Sequence, residues 1–253
     1  MCTVSWTTRR GGYDLFFNRD EQATRAPETP PILSHHKAVA FLAPHDGDRR
    51  GTWLLANQHG LTVCLLNDYG AIWQPLATEL PFSRGHAVLA CASLDTPALA
   101  VEVVGRLPLS RTPAFHLVVL APEEEVSVLR WNGAELLRLP QPSELPMRTS
   151  SSFATAEVIA TRTRRFDTFV HNPSQPEFHE LAAYHRHHEP AQGAHSVLMR
   201  RPDAATRSII HVSVRPETVR MSYEPLRWTV DGPEILESAF TVLPRGGVTQ
   251  FVG

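Results

Sequence analysis

Cysteine is scarce in this chain, and so is every signal of an exported, membrane-embedded or nucleic-acid-binding protein. Three cysteines, Cys2, Cys64 and Cys91, occur in 253 residues. They cannot complete a disulfide framework and their spacings make no CxxC pair, so a reducing compartment is expected. No stretch approaches the roughly 18 consecutive apolar residues of a membrane helix. Thr7, Thr8, Arg9, Arg10, Gly11 and Gly12 follow directly on Trp6, which interrupts any apolar core of a secretory leader. Charge of one sign is also lacking, with 24 Lys plus Arg against 26 Asp plus Glu, a formal −2. That balance points to neither a nucleic acid nor an anionic membrane as partner. No internal repeat and no low-complexity tract appears. The expectation is one cytoplasmic domain over residues 1–253, with the oligomeric state open.

What is present is a succession of short periodic segments. β-prone runs at 2–7 and 13–17 flank Arg9, Arg10, Gly11 and Gly12, and read as a hairpin in which the two glycines supply positive φ. Such a hairpin brings Cys2 and Asn18 to the same end of a sheet. Runs at 37–42, 51–56 and 61–66 continue as a meander, the last two joined by the turn cluster Asn57-Gln58-His59-Gly60. From Ser83 the pattern turns helical at 87–91 and 98–104, with Asp95-Thr96-Pro97 as a stop and a fresh N-terminus. Strand character returns at 115–120, 126–131 and 135–139. A proline-rich crossing follows at 140–146, then helices at 154–169 and 176–188, then strands at 196–199, 208–214 and 218–223. Hairpin-linked strands pair antiparallel, and two helical pairs would cover the outer sheet faces. The expected class is α+β, a four-layer α-β-β-α sandwich of two mostly antiparallel sheets.

The chemistry concentrates at the start. A thiol attacks only as thiolate, so a catalytic cysteine needs a base or a cation beside it. Removal of Met1 would give Cys2 a free α-amine, of pKa about 7.7–8.0, next to its own thiol, so one residue would supply nucleophile and proton acceptor. Asn18, Arg19 and Asp20 on the adjoining strand offer an amide, a cation and a carboxylate to organise that pair. On spacing alone, Cys2 reads more simply as an incidental start residue and residues 18–21 as a solvated turn.

The opening MCTVSW, the tetrapeptide Asn18-Arg19-Asp20-Glu21, the segment GTWLLANQHGLTVCLLNDYG at 51–70 and, less specifically, HSVLMRRPDAATRS at 195–208 resemble the NRDE, or transport and Golgi organisation, family. That family is distantly similar to N-terminal nucleophile hydrolases of the bile-salt hydrolase and penicillin V acylase type. The resemblance implies Cys2 as nucleophile, Arg19 and Asp20 as its flanking pair, and Asn67 as donor to the oxyanion. It also brings Asn18, Trp53 and Ser151 forward as substrate-binding residues. In the hydrolases one more residue separates the flanking pair, so only one of Arg19 and Asp20 is expected to face the thiol. Their second asparagine falls where this chain has Thr149-Ser150-Ser151-Ser152, and a late arginine is matched, if at all, by Arg207.

The remaining constellations have plainer readings. His179, His185, His187 and His188 lack ligand spacing, with no HExxH, and read as a polar, solvated helix face. Arg162, Arg164 and Arg165 read as the wet face of their helix, and the loop with Asp46, Asp48, Arg49 and Arg50 as the rim of a cleft or a solvated turn. Trp53 is either core mass or the wall of an acyl pocket. Cys64 and Cys91, in apolar runs, read as small buried residues. No cofactor and no metal are expected. The resulting expectation is an amidohydrolase acting on the C–N bond of a small acyl compound. The alternative is a non-enzymatic carrier or trafficking protein for a hydrophobic ligand such as haem or acyl-CoA.

Overall fold

The computed structural model describes residues 2–74, 82–140 and 145–246. Met1, residues 75–81, positions 141–144 of the proline-rich crossing and residues 247–253 lie outside the described residues.

The hairpin forms as β1 (Cys2–Arg9) and β2 (Gly12–Gln22), with Cys2 opposite Arg19 and Thr3 opposite Asn18. The two glycines serve different ends. Gly11 takes the positive φ of the turn, +77°, whereas a Cβ on Gly12 would lie 2.0 Å from the Val214 carbonyl oxygen of the neighbouring strand. The second sheet follows as a meander of β3 (Thr29–His36), β4 (Val39–His45), β5 (Leu54–Asn57), β6 (Thr62–Asn67), β7 (Phe115–Leu120), β8 (Ser127–Trp131) and β9 (Leu136–Leu139). Between β6 and β7 the chain leaves the sheet for α1 (Gly85–Leu89) and α2 (Pro97–Gly105). Thr96 caps α2 by accepting from the Leu99 N–H, with Pro97 in the first turn, as the Asp-Thr-Pro stop predicts.

The chain then returns to the first sheet with β10 (Met147–Ser150), crosses its outer face with α3 (Thr155–Phe169) and α4 (Phe178–His185), and closes it with β11 (Ala204–Val214) and β12 (Thr218–Trp228). Two short strands, β13 (Pro233–Ile235) and β14 (Ala239–Pro244), pair with successive stretches of β12. Both sheets are antiparallel throughout their described pairings.

Alternation along the strands sorts the side chains into three apolar layers. Val4, Trp6, Leu15, Phe17, Ile210 and Val212 face Leu42, Leu54, Cys64 and Val118 between the sheets. Val63, Leu117, Val119 and Leu129 pack under α1 and α2 with Cys91. Phe16 and Ile209 pack under α3 and α4 against Phe166, Leu181 and Tyr184. This is the α-β-β-α sandwich, and Cys64 and Cys91 are fully buried core residues in it. Each Leu-sized side chain so buried contributes about 1.5–3 kcal/mol of transfer free energy.

Some elements differ from expectation. Residues 196–199 are not a strand: they leave a 3₁₀ turn over Pro190–His195, and Val197 and Leu198 bury directly beneath the first sheet. Their apolar character reflects packing, while the Met199 N–H is satisfied by the Thr206 hydroxyl instead of a ladder. β10, too short and too close to prolines to be read from the sequence, is the strand that completes the site.

Candidate active site

Cys2 begins β1, the strand held between β2 and β10, with Arg19 on one side and Ser150 on the other as its register partners. Its backbone N–H donates to the Ser150 hydroxyl at 3.2 Å. The side chain is half-buried and lines a cavity of about 230 Å³ with Arg19, Trp53, Asn67, Tyr69 and Arg84. Burial pushes the thiol up to about 11, and the Asp20 charge adds to that, against the opposing Asp20 backbone N–H and Arg19 guanidinium. At neutral pH this thiol is protonated and needs a proton acceptor to react.

Because successive residues of a strand point to opposite faces, Arg19 and Asp20 part company. Arg19 turns inward, its guanidinium 4.3 Å from the centre of the Trp53 ring and held by Glu28 at 2.6 Å, Asp46 at 2.8 Å and Glu21 at 3.1 Å. Asp46 sits in the loop after β4. Its burial would raise its carboxyl, but backbone hydrogen bonds from Arg49 and the charges of Arg25 and Arg19 win, and it lies below the ordinary carboxylate range. Asp20 borders the cavity, but its carboxylate turns outward to the Arg162 guanidinium at 3.1 Å and the Thr206 hydroxyl at 2.7 Å. Asn67, at the end of β6, donates from Nδ2 to the Tyr69 hydroxyl at 2.8 Å on the cavity wall. Trp53, 8 % exposed, belongs to the inter-sheet core and also lines the cavity.

Several expectations are corrected by this geometry. Asn18 is fully buried on the outer face, donating to the His185 carbonyl at 2.9 Å and accepting at Oδ1 from the His185 ring, and it lines no part of the cavity. Ser151 is also fully buried; its hydroxyl donates to the Phe153 carbonyl at 2.5 Å in a local turn, and the serine that reaches Cys2 is Ser150. Arg207 is the unpaired residue of a bulge, since Thr206 pairs with Asp20 and Ser208 with Arg19. Its guanidinium donates instead to the carbonyls of Gln22, Ala23 and Arg25, away from the cavity.

Nor are two polar helix residues solvated. Arg162 is fully buried and donates to Thr3, Thr149, Asp20 and the Ala194 carbonyl. His185 is fully buried between Ser5 and Asn18. The signal lay in helical spacing: Arg162 stands four residues from Val158 and from Phe166, on the buried stripe, and His185 four from Leu181. Ser150, Tyr69 and Arg84 carried no such signal, because their places depend on which segments meet around β1. Among the described residues no three His, Cys, Asp or Glu side chains are grouped to hold a metal ion.

The family model described as Transport and Golgi organisation 2 matches residues 1–226. No curated protein matches the chain by sequence. Among solved structures, the chain is similar to a C2A mutant of the conjugated bile acid hydrolase from Clostridium perfringens, with 10 % identity, a TM-score of 0.58, and 94 % and 92 % of the two chains covered. Penicillin V acylase from Agrobacterium tumefaciens is similar at 12 % identity and a TM-score of 0.59, covering 92 % of this chain and 84 % of that one. A Caenorhabditis elegans ortholog of the N-acylethanolamine-hydrolyzing acid amidase follows at 11 % identity and 0.55, covering 94 % of this chain and all of that one. At these identities the likeness is one of fold.

Proposed function

Since the chain belongs to the Transport and Golgi organisation 2 family and has the fold of those hydrolases, we propose that it is a cysteine amidohydrolase acting on the C–N bond of a small acyl compound. The observation that carries the reading is the position of Cys2: of the three cysteines it alone opens on a cavity, with Asn67 on the same wall.

Once Met1 is removed, the α-amine of Cys2 accepts the thiol proton and Sγ attacks the amide carbon. The Asn67 amide N–H turns from Tyr69 to the developing oxyanion. The ammonium proton passes to the leaving amine as the C–N bond breaks, leaving a thioester on Cys2. Water then attacks the thioester, giving its proton to the α-amine, and the acid departs with the thiol restored. Ser150, already 3.2 Å from the Cys2 nitrogen, positions the amine. Arg19, neutralised by three carboxylates, fixes the wall with Trp53 and supplies a weak pull on the thiolate.

The test is intact-mass measurement of protein from its native host together with assay of small N-acyl compounds. Loss of Met1, and hydrolysis abolished by Cys2→Ala, are expected. Retention of Met1, or turnover surviving in Cys2→Ala, rejects the mechanism.

The carrier reading draws on a different surface. A groove of about 760 Å³ sets Leu226, Trp228 and Leu236 beside Arg200 and Arg207, an apolar floor with a cationic edge suited to an acyl-CoA or to haem propionates. The Cys2 cavity, smaller and walled by charge, does not suit either ligand whole. Binding of a fatty acyl-CoA weakened by Trp228→Ala and untouched by Cys2→Ala would favour this second reading.

A further inference from the structure

The arginines of the Cys2 cavity are not equally compensated. Arg19 has Glu21, Glu28 and Asp46 within ion-pair distance, and Arg25 has Asp46 at 2.9 Å with Asp48 and Glu21 farther out. Arg84 has none among the described residues. The one hydrogen bond of its guanidinium there is a long one, from Nη1 to the Ala114 carbonyl at 3.4 Å. Yet it is half-buried, and burial lowers its pKa from the usual value. The exposed Arg49, at the rim of the same cavity, gives Asp46 only its backbone N–H, and its guanidinium has no ion-pair partner among the described residues. The acids that line the cavity are committed elsewhere, Asp46 and Glu21 to Arg19 and Arg25, and Asp20 to Arg162.

A partly desolvated guanidinium without a counter-charge is unfavourable unless something anionic completes it. Its fork geometry matches a carboxylate, which it holds by two parallel N–H···O bonds. A volume of about 230 Å³ admits a small acyl compound.

We propose that the cavity takes a small amide bearing a free carboxylate, and that Arg84, seconded by Arg49, holds that carboxylate while the amide lies over Cys2. This assignment of substrate class rests on the reading of Cys2 as the reacting group, but its test does not need turnover.

Cys2 is alkylated with iodoacetate and with iodoacetamide at one pH, followed by intact mass, and the ratio of the two rates is taken so that the thiolate fraction cancels. Relative to free cysteine, the wild-type ratio should favour iodoacetate. Arg84→Gln should lower it about tenfold, as loss of a charge-assisted hydrogen bond implies. Arg84→Lys keeps the charge without the fork and should give an intermediate ratio. An unchanged ratio in either folded variant overturns the proposal, and the lysine variant serves if the glutamine variant fails to fold. Glutarate should slow iodoacetamide labelling of the wild type and not of Arg84→Gln. Protection by inorganic phosphate or AMP without protection by glutarate overturns the carboxylate assignment. An anion preference without hydrolysis of any amide would sink the hydrolase reading and the amide part of the substrate class with it, and leave the carboxylate site at Arg84 standing. Hydrolysis of neutral amides at rates indifferent to Arg84→Gln would do the reverse.

Discussion

Two nucleophiles stand three residues apart on β1, and they differ in a way that separates hydrogen-bond geometry from a site. Ser5 has the better geometry. Its hydroxyl lies 2.8 Å from His185 Nε2, and His185 Nδ1 lies 2.7 Å from Asn18 Oδ1, so nucleophile, base and orienting group stand in order. Asn18 Oδ1 can only accept, which puts the ring proton on Nδ1 and leaves Nε2 to accept from Ser5. All three residues are fully buried beneath α4, with no space for a substrate. Cys2 has a protonated thiol and, in the mechanism proposed, a base that depends on processing, but it opens on a cavity lined also by the Asn67 amide and the Arg84 guanidinium. The outer face of the β1–β2 hairpin uses polar groups to lock a helix layer, and the inner end uses them to leave room.

The comparison can be broken most severely at a buried ion pair that joins the two regions, Arg162 with Asp20. Arg162→Met takes the guanidinium away from the buried Asp20 carboxylate, and about 3–5 kcal/mol of stability should be lost in urea denaturation. Adding Asp20→Asn should restore part of it; a single variant within 1 kcal/mol of wild type, by the roughly 0.5 kcal/mol additivity of such measurements, would show that the pair holds nothing. Next comes Asn67→Ala, which should cost about 2.7–4 kcal/mol in kcat as a lost oxyanion donor. Its urea midpoint should stay close to wild type, since the side chain it frees is the solvent-reaching Tyr69 hydroxyl. A tenfold or smaller loss of kcat would remove Asn67 from the mechanism.

The smallest effect sharpens the sealed side. Burial holds His185 well below 6.5 and His116 at about 4, the latter against the pull of Asp68. Below pH 6.5 the unfolded chain binds protons that the folded chain refuses, so stability falls as pH falls. Each such histidine contributes a slope of about 1.36 kcal/mol per pH unit. His116 contributes between pH 6.5 and about 4, and His185 continues lower. His187, partly exposed and shifted the same way, adds less. His185→Gln should remove one of the two main slopes from a stability profile taken between pH 6.5 and 4.5, while the alkylation rate of Cys2 at fixed pH stays as it was. An unaltered slope would mean that His185 is charged in the fold.

Much of this was legible in the order of residues, for reasons that can be named. Phe115–Leu120 and the Thr96-Pro97 helix start were readable because local propensity and capping agree with the fold there. The cavity residues Cys2, Arg19, Trp53 and Asn67 were legible through a motif, and the divergence of Arg19 from Asp20 through the missing residue that separates the flanking pair in the hydrolases; strand alternation is its physical cause. Ser150 was missed by one position because β10 was unseen, and in a strand one position is the difference between two faces. Arg162 and His185 were misjudged by charge, which outweighed a helical period that placed both inside. Arg84 was invisible: nothing near Ser83 announces that the start of α1 will border the cavity on which Cys2 opens.

The two-residue turn at Arg10 and Gly11 has a consequence for how this protein tolerates change. Leu15 and Phe17 must stay inward for the sandwich to close, and that parity is what delivers a cation and not a carboxylate to the side of the thiol. A residue gained or lost between the turn and Arg19 would exchange Arg19 for Asp20 or Asn18 at the cavity while altering no cavity residue. Indels in β2, more than substitutions around Cys2, are therefore the class of mutation that the chemistry of this chain is least able to absorb.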